Sequence, residues 1–283
     1  MAVTATPAHR RAPLARALPN IGFYALVILF MLPTLFVFFW MISLSLKTPV
    51  ESAAYPPTFI PRRVVPDNYQ RVLSGEFFTN TLNSLIIAGA TTLLGLALGA
   101  PASFGIVRWG YHRIATVMLV ARILPAISFL VPWFIMFRQA RLLDTYTALV
   151  LSHLVVNLPL IIWMLIGFFE DIPKELDESG QIDGCSIFGV FWRIVLPLVR
   201  PGLAATAILS FIFSWNNFLF SVILAGRSTR PLPVAVFSLL TYQETNWGPL
   251  AGAAFLITLP ILILTLLMQR HIVSGLSLGA VKG

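Results

Sequence analysis

Residues 146–168 read YTALVLSHLVVNLPLIIWMLIGF, and residues 169–201 continue as FEDIPKELDESGQIDGCSIFGVFWRIVLPLVRP. The first stretch contains no Asp, Glu, Lys or Arg. A helix needs about 20 such residues to cross the hydrocarbon core of a bilayer. The second stretch turns acidic at once and holds six of the chain's 11 acids: Glu170, Asp171, Glu175, Asp177, Glu178 and Asp183. A membrane crossing that ends in a charged, turn-bearing elbow is the unit from which the rest of the chain can be read.

Five further runs have the same apolar character: Gly22–Leu44, Thr81–Gly105, Ile114–Met136, Gly202–Leu224 and Leu250–Met268. A spanning β-barrel would show alternating strands of about ten residues, and these runs are continuous and longer. Backbone polar groups must pair internally in lipid. The sequence therefore predicts an all-α membrane protein with six transmembrane helices and a loop carrying short helices between the fourth and fifth. Composition agrees: 58% of the 283 residues are hydrophobic and 11% charged, against about 25% charged in soluble domains. The mean hydropathy of +0.86 rules out a soluble globular protein and a disordered one. The net charge of +8 does not indicate nucleic acid, because the basic residues are scattered between apolar runs, where they flank spans. The single cysteine, Cys185, excludes an internal disulfide and a cysteine-rich metal site.

Arg10, Arg11 and Arg16 precede the first run, which is longer than a signal peptide's apolar core and lacks a small-residue cleavage site, so it is expected to stay as a helix. With the N-terminal tail inside, ten basic residues fall on inner segments and eight on outer ones, a weak positive-inside bias. The expected layout is a cytoplasmic tail over 1–20, a six-helix domain over 21–270 with its elbow at 171–197, and a cytoplasmic tail over 271–283. The connections at 45–80 and 225–249 are proline-bearing and are expected to be irregular. Pro33, Pro101, Pro125, Pro132, Pro159 and Pro260 lie inside the runs and imply kinks, which suit a cavity.

The elbow reads as two short helices around a glycine turn. Pro173 suits a first helical turn, and Glu175, Asp177 and Glu178 follow where carboxylates favour the helix dipole. Asp183-Gly184 marks the break, and Ser186 can cap the second helix. Ile187, Val190, Phe191 and Ile194 then form one apolar face. An acidic first helix backed by an apolar second fits a docking element for another protein better than an interfacial helix, which favours Lys and Arg.

Reactive chemistry is missing. There is no G-x-x-x-x-G-K-[ST] loop, no H-E-x-x-H and no G-x-S-x-G elbow. His9, His112, His153 and His271 lie far apart in sequence, so neither a catalytic group nor a metal site is expected. All the acids lie outside the runs or at their ends, which argues against a self-powered, ion-coupled carrier.

At the elbow the chain resembles the permease subunits of ABC importers, whose signature is E-A-A, three residues, G, and nine residues before I-x-L-P. Here it stands as Glu178-Ser179-Gly180, Asp183-Gly184, then Ile194, Leu196 and Pro197. Spacing is intact, with Ser179 and Gly180 in place of two alanines. Gly180 is expected to weaken the first helix by about 1 kcal/mol relative to Ala. Arg122-Ile123-Leu124-Pro125, Leu142-Leu143-Asp144-Thr145, Asn157-Leu158-Pro159, Ser214-Trp215-Asn216 and Gly279-Ala280-Val281-Lys282-Gly283 resemble the carbohydrate-importer branch, maltose-type.

The resemblance implies a heterodimer with a second permease in the bacterial plasma (inner) membrane and docking of the elbow on an ATP-binding subunit dimer. An extracytoplasmic solute-binding protein would deliver a sugar. No cofactor would be bound by this chain, ATP and Mg²⁺ belonging to the partner ATPase. Gly279–Gly283 would be a second ATPase contact. The competing readings are a secondary carrier, a membrane enzyme, and an ABC permease for a polyamine, peptide or phosphate ester.

Candidate path residues are Arg122, His153, Asn157, Ser214, Trp215, Asn216 and Asn217. Thr206, Ser210, Ser214, Asn217 and Ser221 form one polar stripe along the fifth run, open to helix packing and to path lining alike. Arg122, deep in the third run, must face water, a carbonyl or a partner. His153 and Asn157 share a face, as packing residues or as substrate contacts.

Overall fold

The computed structural model describes residues 13–240 and 246–278, with side chains over 22–240 and 246–267. Arg10, Arg11 and Gly279–Gly283 lie outside the described residues. All described secondary structure is helical. Four helices cross unbroken: α1 (Pro13–Ser45), α4 (Phe77–Trp109), α7 (Tyr146–Glu170) and α14 (Trp247–Leu278). Helices α1 and α14 reach into the segments expected as tails.

The two other expected crossings are interrupted, and α11 (Arg200–Trp215) meets the preceding Ile187–Leu198 at 78°. Helix α5 (His112–Ala121) meets Ala126–Gln139, which includes α6 (Leu130–Gln139), at 85°. The residue before a proline is pushed out of the helical region, and Pro125 has no amide proton to continue the ladder. Pro33, Pro101, Pro159 and Pro260, by contrast, sit inside unbroken helices. The fifth crossing also differs from the expected single helix. It is built from α11 (Arg200–Trp215) and α12 (Leu219–Leu224), and no proline lies at the break.

The connections are less irregular than their prolines suggested. Residues 45–80 contain α2 (Pro49–Ser52) and α3 (Asp67–Leu73), and the later connection contains α13 (Leu232–Phe237). Pro49 and Pro233 occupy first-turn positions, where a missing N–H costs nothing.

Helix α4 lies along α7 and α11, and α14 lies against α1, α3 and α11. Small residues permit the α4–α7 approach. Gly95 and Gly99 sit one turn apart under Ile161, and a Cβ on Gly99 would come to 2.6 Å from Ile161 Cγ2. The one hydroxyl proton of Ser103 is shared between Gly99 O at 2.7 Å and Ile162 O at 3.1 Å, closing the same seam.

One end of the bundle is joined by polar side chains bonded to loop backbone. Asn68 Nδ2 donates to Ser45 O and Lys47 O, both at 2.9 Å, and Asn83 Nδ2 donates to Arg230 O at 3.0 Å. Asp144 closes this layer. Its carboxylate accepts from Gly226 N at 3.0 Å, Ser228 N at 3.2 Å, Thr229 N at 3.0 Å and Thr229 Oγ1 at 2.8 Å. Burial raises its pKa, but the Thr229 hydroxyl and the amides outweigh it and hold the group below its ordinary value. A depressed folded pKa stabilises above the unfolded value of about 3.9 and is lost as pH falls through the folded pKa. Asp144→Ala is therefore expected to lower stability by about 3 kcal/mol at neutral pH, leaving amides unpaired. The deficit should narrow in thermal melts as pH falls below the unfolded value of about 3.9 and the native carboxylate takes up its proton, and a deficit independent of pH would contradict the account.

Candidate coupling elbow and membrane-depth polar site

The elbow folds into the two short helices that its sequence pattern predicted. Helix α8 (Glu175–Ile182) ends at Asp183, and Gly184 turns the chain at φ +87°. L-residues with side chains avoid that region, so glycine is the residue the turn requires. Ser186 caps α9 (Ile187–Val190) by accepting from Gly189 N at 3.2 Å. A π-helical turn over Phe191–Val195 and α10 (Leu196–Leu198) lead to α11. A Cβ on Gly180 would stand 2.6 Å from Ile194 Cδ1, so this glycine lets α8 lie against the second helix.

One face of the elbow is fused to the bundle. Val190, Phe191 and Val195 are buried with Phe104, Ile166 and Phe169, and Ile187 and Ile194 pack on that cluster. The Phe104 and Phe191 rings are 5.2 Å apart. The other face is open. Glu178, Ser179, Asp183 and Gly184 are exposed, as are Ile182 at 86%, Phe188 at 74% and Trp192 at 62%. Leu196 and Pro197 are half-buried.

Sequence reasoning missed the pair that fixes the elbow to the bundle. Arg108, in the last turn of α4, reaches Asp177 on the buried side of α8. Nε approaches Oδ2 to 2.5 Å, and Nη2 donates to Oδ1 at 3.2 Å. Nη1 donates to Ile172 O at 3.1 Å, and the guanidinium lies 5.4 Å over Phe104. The side chains are 6% and 8% exposed, so this is a buried ion pair. It joins the ends of α4 and α7 to α8. A signal existed: Asp177 and Gly180 share one helix face, and an acid on the packed face needs a cation.

At membrane depth the candidate residues divide into two groups. His153, Asn157, Ser214 and Trp215 are buried against other helices of this chain. Asn157 Nδ2 donates to Ser210 O at 3.2 Å. Trp215 stacks on Phe211 at 5.8 Å, and its Nε1 has no hydrogen-bond partner. Thr206, Ser210 and Ser221 of the polar stripe are buried as well. Arg122, Asn216 and Asn217 keep exposed surface. Arg122 sits at the break after α5, its guanidinium 5.5 Å over the Phe213 ring, with no ion pair among the described residues.

The two asparagines bond locally at the break in the fifth crossing. Asn216 Nδ2 donates to Ile212 O at 3.0 Å, a carbonyl that also accepts from the Asn216 amide. Asn217 Oδ1 accepts from Phe220 N at 3.4 Å, a long bond that caps the start of α12. Among the described residues no group of His, Cys, Asp and Glu could hold a metal ion.

A helical membrane bundle with interrupted crossings, polar groups at the interruptions and an elbow open on one face fits the class of transport permeases. Residues 91–277 match the family described as binding-protein-dependent transport system inner membrane component, and the chain belongs to that family. It is 36% identical over 251 residues to the trehalose transport system permease protein SugB of Mycobacterium tuberculosis (strain CDC 1551 / Oshkosh), covering 86% of this chain and 91% of that protein. It is 35% identical over 288 residues to the trehalose/maltose transport system permease protein MalG of Thermococcus litoralis (strain ATCC 51850 / DSM 5473 / JCM 8560 / NS-C), covering 97% and 99%. A chain in the crystal structure of a bacterial ABC transporter that imports the acidic polysaccharide alginate shares the fold, with a TM-score of 0.72 at 19% identity over 94% of this chain and 99% of that one.

Proposed function

We propose that this chain forms half of the translocation path of an ATP-driven sugar importer. A second permease completes the path, an ATP-binding subunit dimer drives it, and a solute-binding protein delivers the sugar. The names of the relatives support the sugar, and the family's description supports the binding protein. Both termini and the elbow face the cytoplasm in this reading, and the chain sits in the bacterial inner membrane. ATP and Mg²⁺ bind to the partner, and this chain carries no catalytic group of its own. Arg122, Asn216 and Asn217 are the path-facing residues, since they combine polarity, membrane depth and exposure.

The observation that carries the proposal is the two-sided elbow. Its outer face offers Glu178, Asp183 and the exposed apolar Ile182, Phe188 and Trp192. Its inner face is held to α4 and α7 by Arg108 and Asp177. A push on the outer face is therefore delivered to the helices. The fitting partner surface is an apolar groove with a basic rim.

Glu178→Lys reverses charge at that contact and should weaken ATPase docking at least about tenfold. Gly184→Val forces a β-branched residue to positive φ and should do the same by distorting the turn. Both variants should insert and fold in the membrane. Pull-down of the ATPase on the reconstituted complex reads the effect, and undiminished docking with normal uptake would overturn the proposal. The carrier reading predicts instead that the purified chain alone moves solute uphill without nucleotide.

A further inference from the structure

His153 lies in the third turn of α7, 1% exposed, and uses both ring nitrogens. Nδ1 is 2.8 Å from Ser214 Oγ, in the last turn of α11. Nε2 is 3.1 Å from Ser221 Oγ, in α12. The two serines stand on opposite sides of the break at residues 216–218. Among the described residues His153 is the only side chain bonded to both sides.

The hydrogen-bond pattern assigns the tautomer. Ser221 Oγ donates its one proton to Asn217 O at 2.8 Å, so towards His153 it must accept. Nε2 therefore carries the ring proton, and Nδ1 accepts from Ser214 Oγ–H. Each half of the crossing has other supports, but each set serves one half. Helix α11 is held by Asn157 on Ser210 O and by Thr92 Oγ1 on Ser210 Oγ at 3.5 Å. Helix α12 is held by the Phe220 ring stacked 4.8 Å from Trp133 and by Asp144 N donating to Leu224 O at 3.0 Å.

The geometry points to His153 as a positioning residue that sets the angle between α11 and α12, through one hydrogen bond to each side of the break. It acts through the backbone that carries Phe213, Asn216 and Asn217, and so fixes where Phe213 presents its ring to Arg122. Without His153, no side chain among the described residues would hydrogen-bond both halves to one point. The imidazole supplies one acceptor and one donor on a rigid ring, which defines a single angle. The consequence for transport rests on the importer reading; the angle itself does not.

Spin labels at Arg200→Cys, in the first turn of α11, and Val222→Cys, in α12, both at exposed positions, report the distance across the break. The measurement uses the full chain in lipid nanodiscs with Cys185→Ser. The unsubstituted His153 should give one narrow distance peak. His153→Leu should add a population displaced by about 5 Å or more, on the scale of helix shifts in switching proteins. His153→Gln, whose amide offers one acceptor and one donor, should restore the single peak. A single unshifted peak in His153→Leu overturns the inference, and so does a glutamine variant as broad as the leucine one. If His153→Leu fails to insert, Ser214→Ala and Ser221→Ala each remove one arm, and two unbroadened peaks there overturn it equally. Nitrogen-15 spectra of labelled histidine should show the Nε2–H tautomer, and a dominant Nδ1–H form contradicts the clasp. Because none of these readings needs a partner or a solute, their failure is separable from failure of the importer proposal.

Discussion

Arg108→Leu should destabilise the protein by about 3–5 kcal/mol, since it strands the Asp177 carboxylate in a buried site. Asp177 is 5% exposed and lies on the packed face of α8. Without its cation the carboxylate must either take up a proton or drag α8 into water. The loss of the Arg108 bond to Ile172 O also frees the chain between α7 and α8. Limited proteolysis should therefore cut the 169–186 region early in this variant, ahead of any cut in the bundle. The double variant Arg108→Leu/Asp177→Leu should recover stability to within about 1 kcal/mol, because an apolar pair often replaces a buried ion pair without net loss. A double variant as unstable as the single one would show that the pair is not what holds the elbow. If the elbow transmits force as proposed, the stable double variant should still transport poorly, since an apolar contact resists sliding less than a directional fork of hydrogen bonds.

Gly99→Leu is the second large effect. Even a methyl group at this position would stand 2.6 Å from Ile161 Cγ2. Leucine adds three more carbons, so α4 and α7 must separate or shift register. The Ser103 Oγ bond to Ile162 O spans the same seam and should break with it. Overpacking of this kind costs about 3 kcal/mol, read as a lower unfolding midpoint in detergent. Ile161→Ala removes the obstructing side chain, and adding it to Gly99→Leu should recover part of the loss. No recovery would mean that the seam is not limited by this contact.

The Ser-rich stripe of the fifth run and the pair His153 and Asn157 illustrate where pattern reading stopped. Periodicity correctly grouped these residues on common faces, since a 3.6-residue repeat is a property of the helix itself. It could not say which face met a neighbour and which met a cavity. That choice depends on how α4, α7 and α11 are arranged, and the fold turned most of those polar groups inward. The breaks were legible unequally. One of them falls at Pro125, whose ring removes an amide and biases the preceding residue out of the helical region. The other lies at residues 216–218, where no proline stands and no local rule demands an interruption. Four other prolines lie in continuous helices, since neighbouring groups in a bundle can meet the freed carbonyls.

From its residues alone this chain determined that it crosses the membrane with helices, how many apolar segments are available, and where the elbow turns at Gly184. Those outcomes follow from segment length, hydropathy and the conformational freedom of one residue, all of which are local. Tertiary structure alone decided that Arg108 finds Asp177 across 69 positions of sequence, that His153 bonds to both sides of a break, and that Arg122, Asn216 and Asn217 are the path candidates left unburied. These are pairings between helices. Their energies depend on distance and burial, and neither exists until the helices have packed.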